Sequence, residues 1–133
     1  MSAGHEPCWV PALAVRAIHH EQILEHGGLQ GIRSATALEA ALAHPRQRWD
    51  HEERSTIPQL AAAYAGALIR AHPFADANKR CSFLVAVVFL GLNGFRFQAS
   101  NEEVVLMICR LAAGELPWAD LQAWLKTNST GPT

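Results

Sequence analysis

The chain has 133 residues, half of them apolar, and a formal net charge of −1 at pH 7, which is typical of one soluble globular domain. The charge gives no indication of nucleic acid as the main partner, and the longest apolar run, about 12 residues, is shorter than the roughly 20 that span a bilayer. Three cysteines without metal-ligand spacing, and a first segment without a hydrophobic signal region, predict a cytoplasmic protein.

The first third of the chain predicts two helices. Residues 1–8 are predicted to be a flexible tail, and a first helix follows on an apolar stripe that ends at a glycine pair. The stripe comprises Val10, Leu13, Ala14, Ala17, Ile18 and Leu24. Thr36 and Glu39 resemble a capping box that starts a short second helix. This helix is predicted to stop before Pro45, and residues 46–54 are predicted to form a loop or a frayed turn.

The middle of the chain predicts the central helix of the fold. Ser55 or Thr56 could cap a third helix that has a proline in its first turn. Residues 81–92 are apolar on every side, which fits either a central helix or a buried strand. We predict a helix over about residues 79–93, because the run is longer than a typical strand and Gly94 suits a helix end.

The remaining elements complete an all-α prediction. Residues 95–97 could form an extended turn or a very short strand, Ser100 starts a fifth helix, and Pro117 opens a sixth. Residues 127–133 are predicted to be a polar tail. Since neither a repeat nor a linker is present, the sequence predicts one compact helical bundle over residues 9–126, built around the buried helix at about 79–93.

Two features that resemble reactive sites are predicted to have no metal-binding or catalytic role. His20, Glu21 and His26 imitate a zinc-protease motif, but that motif needs histidines four residues apart on one helical face, and here they are six apart. His19 and His20 are predicted to form a solvated edge of the first helix. Cys81 is predicted to be a buried core residue instead of a reactive thiol.

Residues 72–80, His-Pro-Phe-Ala-Asp-Ala-Asn-Lys-Arg, directly precede the central helix. A helix start attracts anions through its unpaired backbone N–H groups and its dipole, and Lys79 and Arg80 add positive charge there. Asp76 is an oxygen ligand of the kind that Mg²⁺ prefers, and His72 could accept a proton. An ordinary corner between two helices would explain any one of these residues. It would not explain a histidine together with two cations at a helix start, where the helix dipole disfavours positive charge. The segment therefore predicts a phosphate site beside a base.

The same nine residues resemble the signature of the Fic/Doc family, H-x-F-x-D/E-G/A-N-G/K-R, at every fixed position. Residues 81–94 resemble the central helix of the family, and residues 18–45 are similar to the N-terminal part of its Doc, or death-on-curing, proteins. The resemblance covers about residues 10–126. It implies the roles of a general base for His72, a Mg²⁺ ligand for Asp76, an anion hole for Asn78 with backbone amides, phosphate binding for Lys79 and Arg80, and a loop anchor for Phe74.

Lys79 decides which chemistry the resemblance implies. Fic proteins that transfer AMP usually have glycine at this position, whereas lysine is the Doc-like form, which transfers the γ-phosphate of ATP. The Doc archetype is implied to phosphorylate a threonine of translation elongation factor Tu and so to block protein synthesis as a toxin. Ala77, where glycine is commoner, is a mild departure. The alternatives are a Fic-like protein AMP-transferase and a non-catalytic helical binding module.

The way in which the site is switched off can also be predicted. Fic-family proteins that inhibit themselves carry an S/T-x-x-x-E-G/N segment, and in this chain no glutamate precedes glycine or asparagine. The resemblance then implies inhibition in trans by a Phd-like antitoxin, a small partner with a segment that covers the site.

Overall fold

Six helices and one short strand pair make up residues 5–132, the part of the chain that the computed structural model describes. The elements are α1 (Ala12–His26), α2 (Ala35–His51), α3 (Ile57–Ala71), α4 (Asn78–Leu92), β1 (Arg96–Phe97), α5 (Asn101–Ala112), α6 (Trp118–Thr127) and β2 (Ser129–Thr130). The predicted all-α class is confirmed. Among the described helices, each is too short or too polar to cross a membrane.

The core lies between α3 and α4. Thr56 and Gln59 close a reciprocal capping box at the start of α3, and the alanine-rich α3 is buried along most of its length and packs against α2, α4 and α6. Small side chains allow helix axes to approach closely, so α3 can be surrounded. The predicted central helix is confirmed as α4, which buries Val85 and Phe89 completely against this core.

Helix α2 is longer than predicted at both ends. Its N-cap is Ser34, whose hydroxyl accepts a hydrogen bond from Ala37 N at 3.0 Å. The helix also continues through Pro45 to residue 51, so the predicted stop before this proline is wrong. Leu38, Pro45 and Trp49 are all buried on one face. We infer that burial of this face offsets the roughly 3 kcal/mol that an internal proline costs.

Helix α1 presents a different face to the core than predicted. Its buried residues are Val15, His19 and Ile23, which lie four residues apart in one row. Leu13 and Leu24 of the predicted stripe are instead 78% and 69% exposed. The single histidine in the buried row hides the pattern, because a search for apolar residues passes over it.

Both ends of the described chain are tied to the helical core. Cys8 N donates to Asn93 Oδ1 at 2.8 Å, and Asn93 Nδ2 donates to Cys8 O at 2.9 Å. The residues that follow α6 form β2, which pairs antiparallel with β1. Cys8 and residues 129–130 of the predicted tails thus have contacts with the rest of the chain, whereas residues 1–4 and 133 of those tails lie outside the described residues.

Candidate active site

The nine-residue motif forms the corner between α3 and α4. His72 ends α3 with φ 49° and ψ 54°, and Ala77 precedes α4 with φ 62° and ψ 24°. Over residues 5–132, these are the two non-glycine residues with positive φ. A residue with a Cβ rarely adopts this conformation, so contacts around the corner must hold it.

Phe74 and Asn78 fix the inside of the corner. The Phe74 side chain is only 2% exposed. The Asn78 amide accepts from Phe74 N and donates to Phe74 O, both at 3.0 Å. These two bonds join the Asn78 amide to the loop, a contact that the predicted anion-hole role did not include. One Nδ2 hydrogen remains for another acceptor.

The loop between α1 and α2, residues 27–34, runs along the corner and holds it from outside. Ala75 N donates to Gly31 O at 3.1 Å, and Arg33 N donates to Pro73 O at 2.7 Å. The Arg33 side chain donates to the His72 carbonyl at 2.6 Å and to the Ala71 carbonyl at 2.8 Å. Arg33 thereby satisfies carbonyls at the end of α3 that have no partner within the helix.

His72 is held in the tautomer that a proton acceptor requires. Its Nδ1 lies 2.9 Å from the carbonyl oxygen of Ile69. Because a carbonyl oxygen can only accept, Nδ1 carries the hydrogen in the neutral ring and Nε2 keeps a free lone pair. The side chain is exposed and lines the main cavity of the described residues.

The Asp76 carboxylate is fixed by two backbone donors. Ala77 N donates to Oδ1 at 2.9 Å and Leu29 N donates to Oδ2 at 3.2 Å. These two bonds lower the pKa of Asp76, and the positive charge of Arg80 adds to the effect. The carboxylate is therefore ionised at neutral pH and keeps lone pairs for a further ligand.

The start of α4 has donors without acceptors. The N-cap residue Ala77 offers no side-chain bond, and the backbone N–H groups of residues 78–80 have no acceptor within the described chain. Lys79 and Arg80 are exposed, and neither pairs with a carboxylate among residues 5–132. This concentration of free donors and positive charge suits an anion.

These groups share one cavity of about 880 Å³, which is large enough for a nucleotide. One wall is formed by the motif and the other by an apolar surface of α4 and α5. The apolar lining comprises Phe83, Leu84, Val104, Val105 and Ile108. The cavity thus combines an end rich in N–H donors and positive charge with an apolar side, a combination that suits a nucleotide with its base.

The donor set fits Mg²⁺ held together with a nucleotide. Asp76 is the one carboxylate in the cavity lining, and the described residues contain no group of three or more potential metal ligands. Mg²⁺ is commonly held by one or two carboxylates, with phosphates and waters as its other ligands. A resident metal held by protein side chains alone would need more ligands than this cavity offers.

The sequence interpretation missed the residues that hold the motif from other parts of the chain. His19, predicted to be solvated, is 3% exposed and lies against Phe74 and Asp76. Arg33 was assigned no role. The row of buried residues spaced by four along α1 is the signal that could have identified His19.

Cys81 is buried, and we expect it to be unreactive. The side chain is 1% exposed, and burial raises the pKa of its thiol to about 12, whereas Cys8 and Cys109 are exposed. A thiol reagent at pH 8 is expected to label two cysteines in the folded protein and the third only after unfolding in guanidinium chloride, because the thiolate is the nucleophile. Mass spectrometry of the labelled chain makes the measurement. Rapid native labelling at Cys81 would contradict this picture of the core.

Comparisons with known proteins agree with the motif. A sequence model of the Fic/DOC family matches residues 9–90. A curated relative, "Protein kinase doc" of Escherichia phage P1, is 34% identical over 100 residues, which cover 75% of this chain and 79% of the relative. The family match includes both the corner and the loop that holds it.

Proposed function

Because the chain belongs to the Fic/DOC family, we propose that it is a Doc-type toxin, a protein kinase that transfers the γ-phosphate of ATP to a protein hydroxyl group. The observation that carries this proposal is Lys79, an exposed lysine beside unpaired N–H groups at the start of α4. A lysine fills the space that glycine leaves open in AMP-transferring relatives, and it supplies a charge for a phosphate there. The similarity to the protein kinase Doc of Escherichia phage P1 adds support.

His72 serves as the general base of the proposed reaction. Nε2 takes the proton of the target hydroxyl as its oxygen attacks the γ-phosphorus, and the bond from this phosphorus to the bridging oxygen of ADP breaks. The Nδ1–H bond to Ile69 O keeps the ring in place and stabilises the positive charge that the ring gains. His72 therefore has both the lone pair and the orientation that this role requires.

The start of α4 binds the phosphates. Backbone N–H groups of residues 78–80, together with Lys79 and Arg80, bring donors and charge to the position where negative charge accumulates. In this proposal Asn78 has a mixed role: its amide holds Phe74, and its remaining hydrogen adds to the anion hole. Phe74 acts as the loop anchor.

Asp76 holds Mg²⁺ in this proposal. The ion would neutralise part of the phosphate charge and orient the phosphates when it is bound with ATP. Asp76 is suited to this because its carboxylate is ionised and its orientation is fixed by Leu29 N and Ala77 N.

We further propose that the protein acts in the cytoplasm and that its target is a threonine of translation elongation factor Tu. We also propose that a Phd-like antitoxin inhibits it in trans. Lys79 and Arg80 line the cavity, and neither forms a salt bridge with a carboxylate of residues 5–132. An acidic segment of a second chain could occupy that position. The similarity to the Doc protein of Escherichia phage P1 supports a toxin–antitoxin arrangement.

Labelled ATP tests the proposed chemistry. The purified protein is incubated with Mg²⁺, elongation factor Tu and ATP labelled on either the γ- or the α-phosphate. We expect label on the factor only from the γ-position, at a threonine identified by mass spectrometry. Label from the α-position alone would identify an AMP-transferase. Cell extract can then supply other possible target proteins. If neither label reaches any protein in the extract, a non-catalytic binding module would be favoured.

A further inference from the structure

We propose that His19 is a positioning residue for the site: it fixes the peptide between Asp76 and Ala77 and thereby orients the Asp76 carboxylate. The role assigned to Asp76 rests on the proposed phosphotransfer function. The contact between His19 and this peptide rests on the geometry alone.

His19 contacts the corner in two ways. Its Nε2 lies 2.9 Å from the carbonyl oxygen of Asp76, so Nε2 donates, since the carbonyl can only accept. Its ring stacks on Phe74 with the ring centroids 3.9 Å apart and an interplanar angle of 7°. His19 lies 57 positions before Asp76 in the chain, so α1 contacts the backbone of the motif directly.

The burial of His19 indicates that packing alone does not explain it. The side chain is 3% exposed, and its neighbours in the buried row of α1 are the apolar Val15 and Ile23. A buried polar group without a partner costs free energy, so an apolar residue would serve better if the position needed only to be filled. The hydrogen bond to Asp76 O is what the imidazole adds.

One peptide plane connects His19 to the carboxylate. The Asp76 carbonyl, which accepts from His19, and the Ala77 N–H, which donates to Asp76 Oδ1 at 2.9 Å, belong to the same planar peptide unit. A rotation of this plane breaks both bonds together. It also changes the φ of Ala77, which is held in the left-handed region at 62°. His19 therefore holds both the carboxylate and the entry to α4.

Three variants separate the hydrogen bond from packing. His19→Phe keeps an aromatic ring for stacking and removes the donor, whereas His19→Gln keeps a donor near the position of Nε2 and removes the ring. His20→Phe is the matched control, because His20 is the exposed neighbour on the same helix, and within residues 5–132 its side chain bonds only to the Gln30 side chain. Thermal unfolding first establishes that each variant folds.

The first readout is independent of activity. Amide hydrogen exchange measured by NMR should show Ala77 N–H exchanging about five- to ten-fold faster in His19→Phe than in the wild type, the change expected for one lost hydrogen bond. The His19→Gln and His20→Phe variants should stay within about two-fold of the wild type. Unchanged protection of Ala77 in His19→Phe would overturn the proposal, as would equal loss in His19→Gln. If His19→Phe does not fold, His19→Leu, which also fills the buried position without a donor, takes its place in the same comparison.

The second readout uses label transfer from γ-labelled ATP. A misdirected Asp76 weakens binding of Mg–ATP, so KM should rise about ten-fold in His19→Phe while kcat changes less. A purely structural role would instead lower the amount of active protein and leave KM unchanged, which would contradict the proposal. If the wild type transfers no label, the proposed function fails, and the exchange of Ala77 still decides the role of His19.

Discussion

Replacing His72 with asparagine is expected to lower γ-phosphate transfer by about a hundred- to ten-thousand-fold, the usual contribution of a general base. Asparagine is the informative replacement because it tolerates the left-handed backbone of this position, φ 49°. It cannot accept the proton of a hydroxyl at neutral pH. His72→Ala should lose as much activity and, with the additional backbone cost of alanine in that conformation, also some stability.

The affinity for Mg–ATP separates loss of the base from loss of the site. We expect the Kd for Mg–ATP, measured by calorimetry, to stay within about three-fold of the wild type in His72→Asn, because Asp76, Lys79 and the N–H groups of α4 remain in place. His51→Asn is the control, since His51 is exposed at the C-terminal end of α2 and does not line the cavity. If His72→Asn retains wild-type kcat, the base lies elsewhere and the proposed mechanism is wrong.

The local part of the site could be predicted from the sequence. Residues 72–80 are contiguous, and a helix start brings its N–H groups and neighbouring side chains together without help from the rest of the fold. For the same reason the predicted cap at Ser100 is observed, and Thr56 is the cap among the two candidates Ser55 and Thr56. A local pattern is not sufficient by itself, since the second helix is capped by Ser34 and not by the predicted Thr36.

The parts that depend on distant contacts could not be predicted. His19 contacts Asp76 across 57 positions and Arg33 contacts His72 across 39. The spacing by four along α1 indicates that His19 is buried, but no local pattern identifies the partner of either residue. The helix through Pro45 was missed for a related reason. A proline's local preference predicts a break, whereas the buried face that includes Trp49 is a property of the tertiary fold.

Replacing Gly28 with alanine is expected to weaken Mg–ATP binding at least ten-fold by displacing the Asp76 carboxylate. A Cβ at Gly28 would lie 2.8 Å from Asp76 Oδ2 and 3.1 Å from Ile23 Cδ1. Ile23 can turn its flexible end away, whereas we expect a displaced Asp76 Oδ2 to lose its bond to Leu29 N, because that oxygen is the atom the new Cβ would meet. The carboxylate would then no longer point where the proposed metal is held.

The neighbouring glycine provides the matched control for this prediction. Gly27 also has positive φ, 81° against 121° at Gly28, but a Cβ there meets nothing within 4 Å. Both alanine variants should lose about 1–3 kcal/mol of stability, since both place a Cβ on a strained backbone. Only Gly28→Ala should raise the Kd for Mg–ATP, as measured by calorimetry below the unfolding temperature of both variants.

A double variant identifies which neighbour of the added methyl group matters. Ile23→Val shortens the side chain and relieves the contact with Ile23 Cδ1, so Gly28→Ala with Ile23→Val should recover some stability but not nucleotide affinity. If nucleotide affinity returns together with stability, the methyl group of Gly28→Ala acts by displacing α1 and not by displacing Asp76. Equal weakening in Gly27→Ala would mean that the loop as a whole, and not the contact between Gly28 and Asp76, controls the carboxylate. The expected outcome would mean that position 28 must be glycine, because any side chain there would occupy the space that the Asp76 carboxylate needs.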